Sequence, residues 1–125
     1  MPRIICISDS HNQHNKLKLP KGDILIHAGD QAAGTGDLGQ VVDFNAWMGG
    51  LDFEHKIVIA GNHDFLFEEN QTVIRRYITN YTYLLDEAYE CMGLKFYGSP
   101  WQPWFFGWAF NLLRDGEELK KKWQA

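Results

Sequence analysis

Three short apolar runs in the first half of the chain each break off into the same kind of polar cluster, and this repetition constrains the fold more than any other feature. Ile4-Ile5-Cys6-Ile7 leads into Ser8-Asp9-Ser10-His11. Ile24-Leu25-Ile26-His27-Ala28 leads into Gly29-Asp30, and Ile57-Val58-Ile59-Ala60 into Gly61-Asn62-His63-Asp64. Short, almost continuously apolar runs rich in β-branched residues are the mark of strands buried on both faces of a parallel sheet. Polar residues just past the carboxyl ends of such strands lie on the crevice side of an open α/β sheet, where ligands bind. Three adjacent strand ends would therefore bring Asp9, His11, Asp30, Asn62 and His63 to one place.

The remaining elements follow from periodicity and punctuation. The strands are predicted at residues 3–8, 23–28 and 56–60. The polar loop from 11 to 21 has alternating Leu17 and Leu19 and is given no helix, and a glycine-containing loop, 31–36, follows Asp30. Asp37 can cap a helix starting near Leu38, with Leu38, Val41, Phe44 and Met48 on one face and Gly49-Gly50 as its stop. Strand, helix, strand in this order implies a right-handed parallel crossover. A second helix is predicted from about 70 or 71 to 78. After Thr79 the residues 81–85, 88–92 and 94–98 read as short strands, with a tight hairpin at Cys91-Met92-Gly93-Leu94, so the second half is antiparallel or mixed. The aromatic segment Trp101, Trp104, Phe105, Phe106, Trp108 and Phe110 is too broken by Pro100, Pro103 and Gly107 for a regular element. Asp115-Gly116-Glu117-Glu118 has the capping-box pattern that opens a helix, and Lys120, Lys121 and Lys122 favour its carboxyl end.

At 125 residues, 45% of them hydrophobic and 22% charged, the chain suits one globular domain with a real core. The formal net charge of −4 argues against a protein that wraps a nucleic acid polymer. Two cysteines are too few for a disulfide framework, and Cys6, inside an apolar strand, reads as a small buried hydrophobe. No stretch reads as a secretory leader or a membrane span, which makes a reducing cytoplasm the expectation.

The residue types in the cluster point to metal chemistry. Asp9 and His11 are two apart, so at an extended strand end both would face one ion. Asp30 has the oxygens to bridge two ions, and Asn62 offers a neutral carbonyl to the second. Mixed oxygen and nitrogen donors suit Mn²⁺, Fe or Zn²⁺ better than an all-oxygen Mg²⁺ or Ca²⁺ cage. Two such ions about 4 Å apart form the clamp used in phosphate ester hydrolysis, and His63 beside them is the candidate to protonate the leaving oxygen. The blander readings are turn or cap roles for each residue taken singly. His27 reads as a packed core histidine, and His14 and His55 as solvated. Asp64 reads as a cap or loop-orienting residue, or else as a hydrogen-bond partner that orients His63 from behind, and Gly29 and Gly61 as close backbone turns. The aromatic segment is core cover or else a wall for a nucleobase, and the lysine run is a solvated helix face. No Gly-x-Gly-x-x-Gly follows the first strand, which disfavours a dinucleotide binder. The His63-Asp64 dyad follows a strand, which sets aside the helical phosphohydrolases that share it.

Asp9-Ser10-His11, Gly29-Asp30 and Gly61-Asn62-His63-Asp64, in this order and each after a strand, resemble the motifs of the calcineurin-like metallophosphoesterase superfamily. Ile-Ser-Asp-Ser-His, Leu-Ile-His-Ala-Gly-Asp, Phe-Asn-Ala-Trp, Ile-Val-Ile-Ala-Gly-Asn-His and Tyr-Gly-Ser-Pro-Trp-Gln-Pro-Trp-Phe extend the likeness over nearly all 125 residues to its metallophosphoesterase domain-containing protein subfamily. The resemblance implies an α/β fold, a β-sandwich flanked by helices, present as one partial domain over residues 1–125 and truncated at the carboxyl-terminal end. It implies a metal-dependent phosphodiesterase acting through metal-activated water on small phosphodiesters such as cyclic nucleotides. Two divalent ions are implied, manganese first, with iron, zinc or magnesium as alternatives. Asp9, His11 and Asp30 would hold one ion, Asp30 and Asn62 the second, with His63 catalytic.

Members of the family add a histidine before a Gly-Pro turn and a Gly-His-x-His pair in a later half, whereas no histidine follows His63 here. Three versions follow. A second copy completes the site in a homo-oligomer; the chain is a degenerate short form that binds metal or nucleotide, or serves as an interaction module, without turnover; or it is a piece of a longer enzyme. The expected partner is a small phosphodiester or nucleotide, with no nucleic acid polymer and no membrane.

Overall fold

A computed structural model describes residues 1–34, 37–104, 107–113 and 116–124. Four parallel strands form the central sheet in the order β1 (Ile4–Ile7), β2 (Ile24–His27), β3 (His55–Val58), β4 (Thr82–Tyr83). Ile4 pairs with Ile24 and Ile24 with His55, so the three polar strand ends are level with one another. Between β2 and β3 runs α1 (Leu38–Gly49). Asp37 caps it as its sequence position predicts, its side chain accepting the N–H of Gln40, and Gly50 closes it. Val41, Phe44 and Met48 are buried, while Leu38 at the first turn stays exposed.

Strand alternation decides what each face of the sheet covers. Leu25 and Val58 pack with Phe44 and Met48 of α1, joined by Ile5 and Ile7. Ile24 and Ile57 point to the other face, where Leu84, Cys91, Tyr89, Leu94 and Phe96 meet them. Most of these last residues come from an antiparallel hairpin, β5 (Glu87–Cys91) and β6 (Leu94–Gly98). Its turn is Met92-Gly93, with φ of 51° and 77°, the left-handed pair that a two-residue hairpin loop demands. The hairpin leaves the sheet edge uncovered. Ile4 and Cys6 on β1 are exposed, so the expectation of a buried Cys6 is overturned.

A short helix that periodicity does not mark, α2 (Phe65–Glu69), precedes α3 (Gln71–Arg75), which is the predicted second helix but stops short of residue 78. Phe67 and Ile74 anchor the pair in the core that also holds Val41, Tyr83, Ala109 and Phe110. A turn of 3-10 helix at His14–Lys16 also interrupts the loop given no helix. It buries His14 completely, with Nε2 2.7 Å from Asp43 Oδ2 on α1. His14 is therefore not solvated; α1 supplies a partner 29 residues away. His55 likewise lies in β3, its Nδ1 3.0 Å from the Tyr89 hydroxyl.

The aromatic segment forms a small parallel pair, β7 (Gln102–Pro103) and β8 (Asn111–Leu112), and the chain continues into α4 (Glu117–Trp123) with Gly116 at its N-cap. Asp115, the predicted capping residue, lies outside the described residues, as do Gly36, Phe105 and Phe106. Lys122 is not merely solvated. Its Nζ lies 2.8 Å from Asp86 Oδ2, and the same carboxylate accepts Trp101 Nε1–H and Ser99 O–H. No helix among the described residues is long and apolar enough to cross a membrane.

Candidate metal centre

The loops after β1 and β2 are joined main chain to main chain. The Asp9 N–H donates to the Gly29 carbonyl at 2.9 Å, that of His11 to Asp30 at 3.0 Å, and that of Asn12 to Gln31 at 2.7 Å. The third loop is tied in by two carboxylates. Asp30 Oδ1 accepts the His63 N–H at 2.9 Å. Asp64, 1% exposed, accepts the N–H groups of Asp30 and Ala32 at 2.9 Å each and of Gly61 at 2.7 Å. Gly29 and Gly61 make this approach possible: a Cβ on Gly29 would come within 2.8 Å of the Gly61 backbone, and one on Gly61 would run into Asp30.

The chain does not leave β1 extended. Asp9, His11 and Asn12 have φ of 54°, 43° and 60°, and Asp30 has 58°, the left-handed region that side chains other than glycine seldom occupy. The backbone at Asp9 and His11 is therefore not the extended one that alternation predicts, yet the two side chains still meet. His11 Nε2 lies 3.7 Å from Asp9 Oδ1 and 4.0 Å from Asp30 Oδ2. Both distances are too long for hydrogen bonds. Both fall inside about 4.2 Å, twice the bond of about 2.1 Å that a Zn²⁺-like ion makes to nitrogen or oxygen.

Ligand-capable atoms of His11, Asp30 and His63 lie within 4.8 Å of one another. The two imidazoles are oriented alike. His11 Nδ1 is 3.0 Å from the Ala32 carbonyl and His63 Nδ1 is 3.0 Å from the Gly34 carbonyl. A carbonyl only accepts, so each Nδ1 carries the proton and each Nε2 is left to face the cluster, the arrangement that orients metal-binding histidines. The donor set therefore fits a divalent ion. Of the five predicted residues, Asp9, His11, Asp30 and His63 converge through their side chains. Asn62 precedes His63 in the same loop, its main-chain carbonyl accepting the Ala109 N–H at 2.8 Å.

Burial pushes the Asp30 carboxyl above its ordinary range, while a hydrogen bond from Ser8 is the main cause holding Asp9 below it. Asp64 is raised to about 6 by burial, against the pull of its backbone donors. Behind the cluster His27 is fully buried, its Nε2 2.9 Å from Ser10 Oγ and its Nδ1 accepting the Gly29 N–H. Burial holds it neutral by lowering it to about 4. His27 is thus the packed core histidine that its place in a strand predicted, and it supports both the Asp9 and the Asp30 loops.

Asp64 has the loop-orienting role that its sequence position suggests: it binds the backbone of Gly61 and of the Asp30 loop, while His63 Nδ1 turns to the Gly34 carbonyl instead. One residue that sequence reasoning did not single out is Trp108. Its ring centroid stands 4.1 Å from that of His63, and nothing in the sequence separates it from the other tryptophans of its segment.

The chain is 40% identical to human metallophosphoesterase domain-containing protein 1 over 144 residues, which covers 97% of this chain and 44% of that protein. It is also 40% identical to UPF0046 protein C25E10.12 of Caenorhabditis elegans, covering 97% of this chain and 48% of that one. The chain thus spans about half the length of the curated relatives it matches. The family model described as calcineurin-like phosphoesterase matches residues 2–123, and these are the residues that carry the three strand-end loops and the cluster they build. The chain therefore belongs to the calcineurin-like phosphoesterase family.

Proposed function

We propose that this chain is a metal-dependent phosphodiesterase acting on small phosphodiesters, cyclic nucleotides among them. The observation that carries the reading is the convergence of His11, Asp30 and His63 within 4.8 Å at the ends of parallel strands. In this reading Asp9, His11 and Asp30 hold one divalent ion and Asp30 and Asn62 a second, with manganese the first choice. Bound ions would supply Lewis acidity for the phosphoryl oxygens and a more acidic water.

The protein's own groups do the rest. Asp30 keeps Oδ1 on the His63 N–H and turns Oδ2 towards His11, so it links the first and third loops. His63, fixed through Nδ1 by Gly34, stands beside the cluster as the group that protonates the leaving oxygen. The cysteines are unpaired, which agrees with a cytoplasmic setting, and a second copy completing the sheet or the site belongs to the same reading.

A second reading is binding of metal or nucleotide without turnover, favoured by the single three-residue group, His11, Asp30 and His63, that could hold an ion among the described residues. Hydrolysis of a chromogenic phosphodiester with added Mn²⁺ separates the two. Turnover that a chelator removes and that Asp30→Asn lowers about 100-fold or more, the scale of losing an electrostatic group at the reacting centre, supports the enzyme. Manganese binding with no product supports the second reading, and turnover indifferent to Asp30→Asn sinks both.

A further inference from the structure

Trp108 is placed differently from the other described aromatics of its segment. Trp101 is committed to the interior, its Nε1–H donating to Asp86 and its ring 5.3 Å from that of Phe110. Phe110 is 1% exposed and Trp104 is 57% exposed. Trp108 is half-buried against the metal loops, with the His63 ring at 4.1 Å and 54° and the Phe65 ring at 6.2 Å. Its backbone is fixed on the carboxyl side. Ala109 donates to the Asn62 carbonyl at 2.8 Å, and the carbonyls of Ala109 and Phe110 accept from Gln102 at 3.0 and 3.1 Å. Gly107, with φ of 64°, turns the chain just before it.

An indole so held needs little further ordering when a ligand arrives, which is what makes an aromatic side chain an effective contact. The net charge of −4 gives the protein no long-range pull on an anion. Preference among phosphates of equal charge must then come from what touches the group the phosphate carries.

We infer that Trp108 is a specificity-determining residue, the platform on which a planar group of the phosphate ester, a nucleobase above all, stacks beside His63. The site then favours nucleobase-bearing phosphates over sugar phosphates of the same charge. This rests on the phosphoester reading of the metal cluster.

The test is calorimetric titration of the full chain, in Mn²⁺, with adenosine monophosphate and with ribose phosphate. The native protein is expected to prefer the nucleotide by about 5- to 150-fold, the range that one base–aromatic stack supplies. Trp108→Phe should keep much of that preference. Trp108→Leu, which retains bulk without a π face, should bring the two affinities together by weakening the nucleotide alone.

Equal affinities in the native protein overturn the inference, as does failure to bind the nucleotide. So does a preference that survives Trp108→Leu. Parallel loss of both ligands in Trp108→Leu overturns it too, because the residue would then only hold His63. Phosphodiester hydrolysis is measured alongside. Turnover without a nucleotide preference removes the platform and leaves the phosphoester reading standing, and preference without turnover does the reverse.

Discussion

The Asp64 carboxylate accepts the backbone N–H of Asp30 at 2.9 Å, across 34 residues of sequence. It thereby fixes the conformation from which the Asp30 side chain reaches both His63 and His11. Asp64→Ala would leave the buried N–H groups of Asp30 and Ala32, and the half-buried one of Gly61, without an acceptor. The expected loss is about 3 kcal/mol or more of stability by urea unfolding, since each orphaned donor costs on the order of 1–3 kcal/mol. Asp64→Asn keeps one acceptor oxygen and should lose less. Both variants should bind Mn²⁺ more weakly than the native chain, and an unchanged affinity would show that Asp64 does not position Asp30.

His27 titrates at about 4 in the folded protein against 6.5 ordinarily. The unfolded chain therefore binds the extra proton first. The stability due to neutral His27 is complete above about pH 6.5 and is lost as pH falls towards 4, by up to about 3 kcal/mol. Asp64, raised to about 6 from 3.8, has the opposite slope and favours the fold at the acidic end. It is common to native protein and His27→Gln, so it drops out of their difference. Unfolding of both in chelator from pH 7.5 to 4.5 should show the native advantage shrinking as pH falls. A difference independent of pH would contradict the burial of a neutral imidazole.

Cys6 is exposed on β1, whereas Cys91 is 8% exposed and burial raises its thiol. Under native conditions a thiol reagent should modify Cys6 about tenfold or more faster than Cys91, because reaction needs an accessible thiolate. Equal rates would mean that the hairpin does not cover its face of the sheet.

Manganese should raise the melting temperature, and chelator should reverse the effect. At about a hundredfold excess over its dissociation constant the ion adds about 2.7 kcal/mol. Asp30→Asn should abolish the shift, and so should His11→Ala. A shift that survives both substitutions would place the ion elsewhere.

Much of this was legible in local sequence. The three strands, the Asp37 cap, the face of α1 formed by Val41, Phe44 and Met48, and the Met92-Gly93 turn all depend on near neighbours. What escaped depends on distant ones. His14 reads as a loop residue until α1 lays Asp43, Phe44 and Trp47 over it. Cys6 reads as buried because its run is apolar, yet β1 is the sheet edge and the hairpin stops short of it. The convergence at the strand ends followed from topology alone, but its geometry did not, since an extended backbone at Asp9 and His11 was the natural assumption. Trp108 acquires its place only through the Ala109–Asn62 hydrogen bond, which no periodicity encodes.

The left-handed backbone at Asp9, His11, Asn12 and Asp30 has a consequence for how such a chain changes over time. Each of these residues costs the fold about 1–2 kcal/mol relative to an unstrained conformation, and glycine would relieve most of it. Substitution by glycine at these positions therefore offers an easy gain in robustness, at Asp9, His11 and Asp30 at the expense of the cluster. A lineage released from its chemistry would drift towards glycine there. Aspartate and histidine are, after glycine, among the residues that tolerate this region best, so the loops trade a little stability for side chains that can do chemistry.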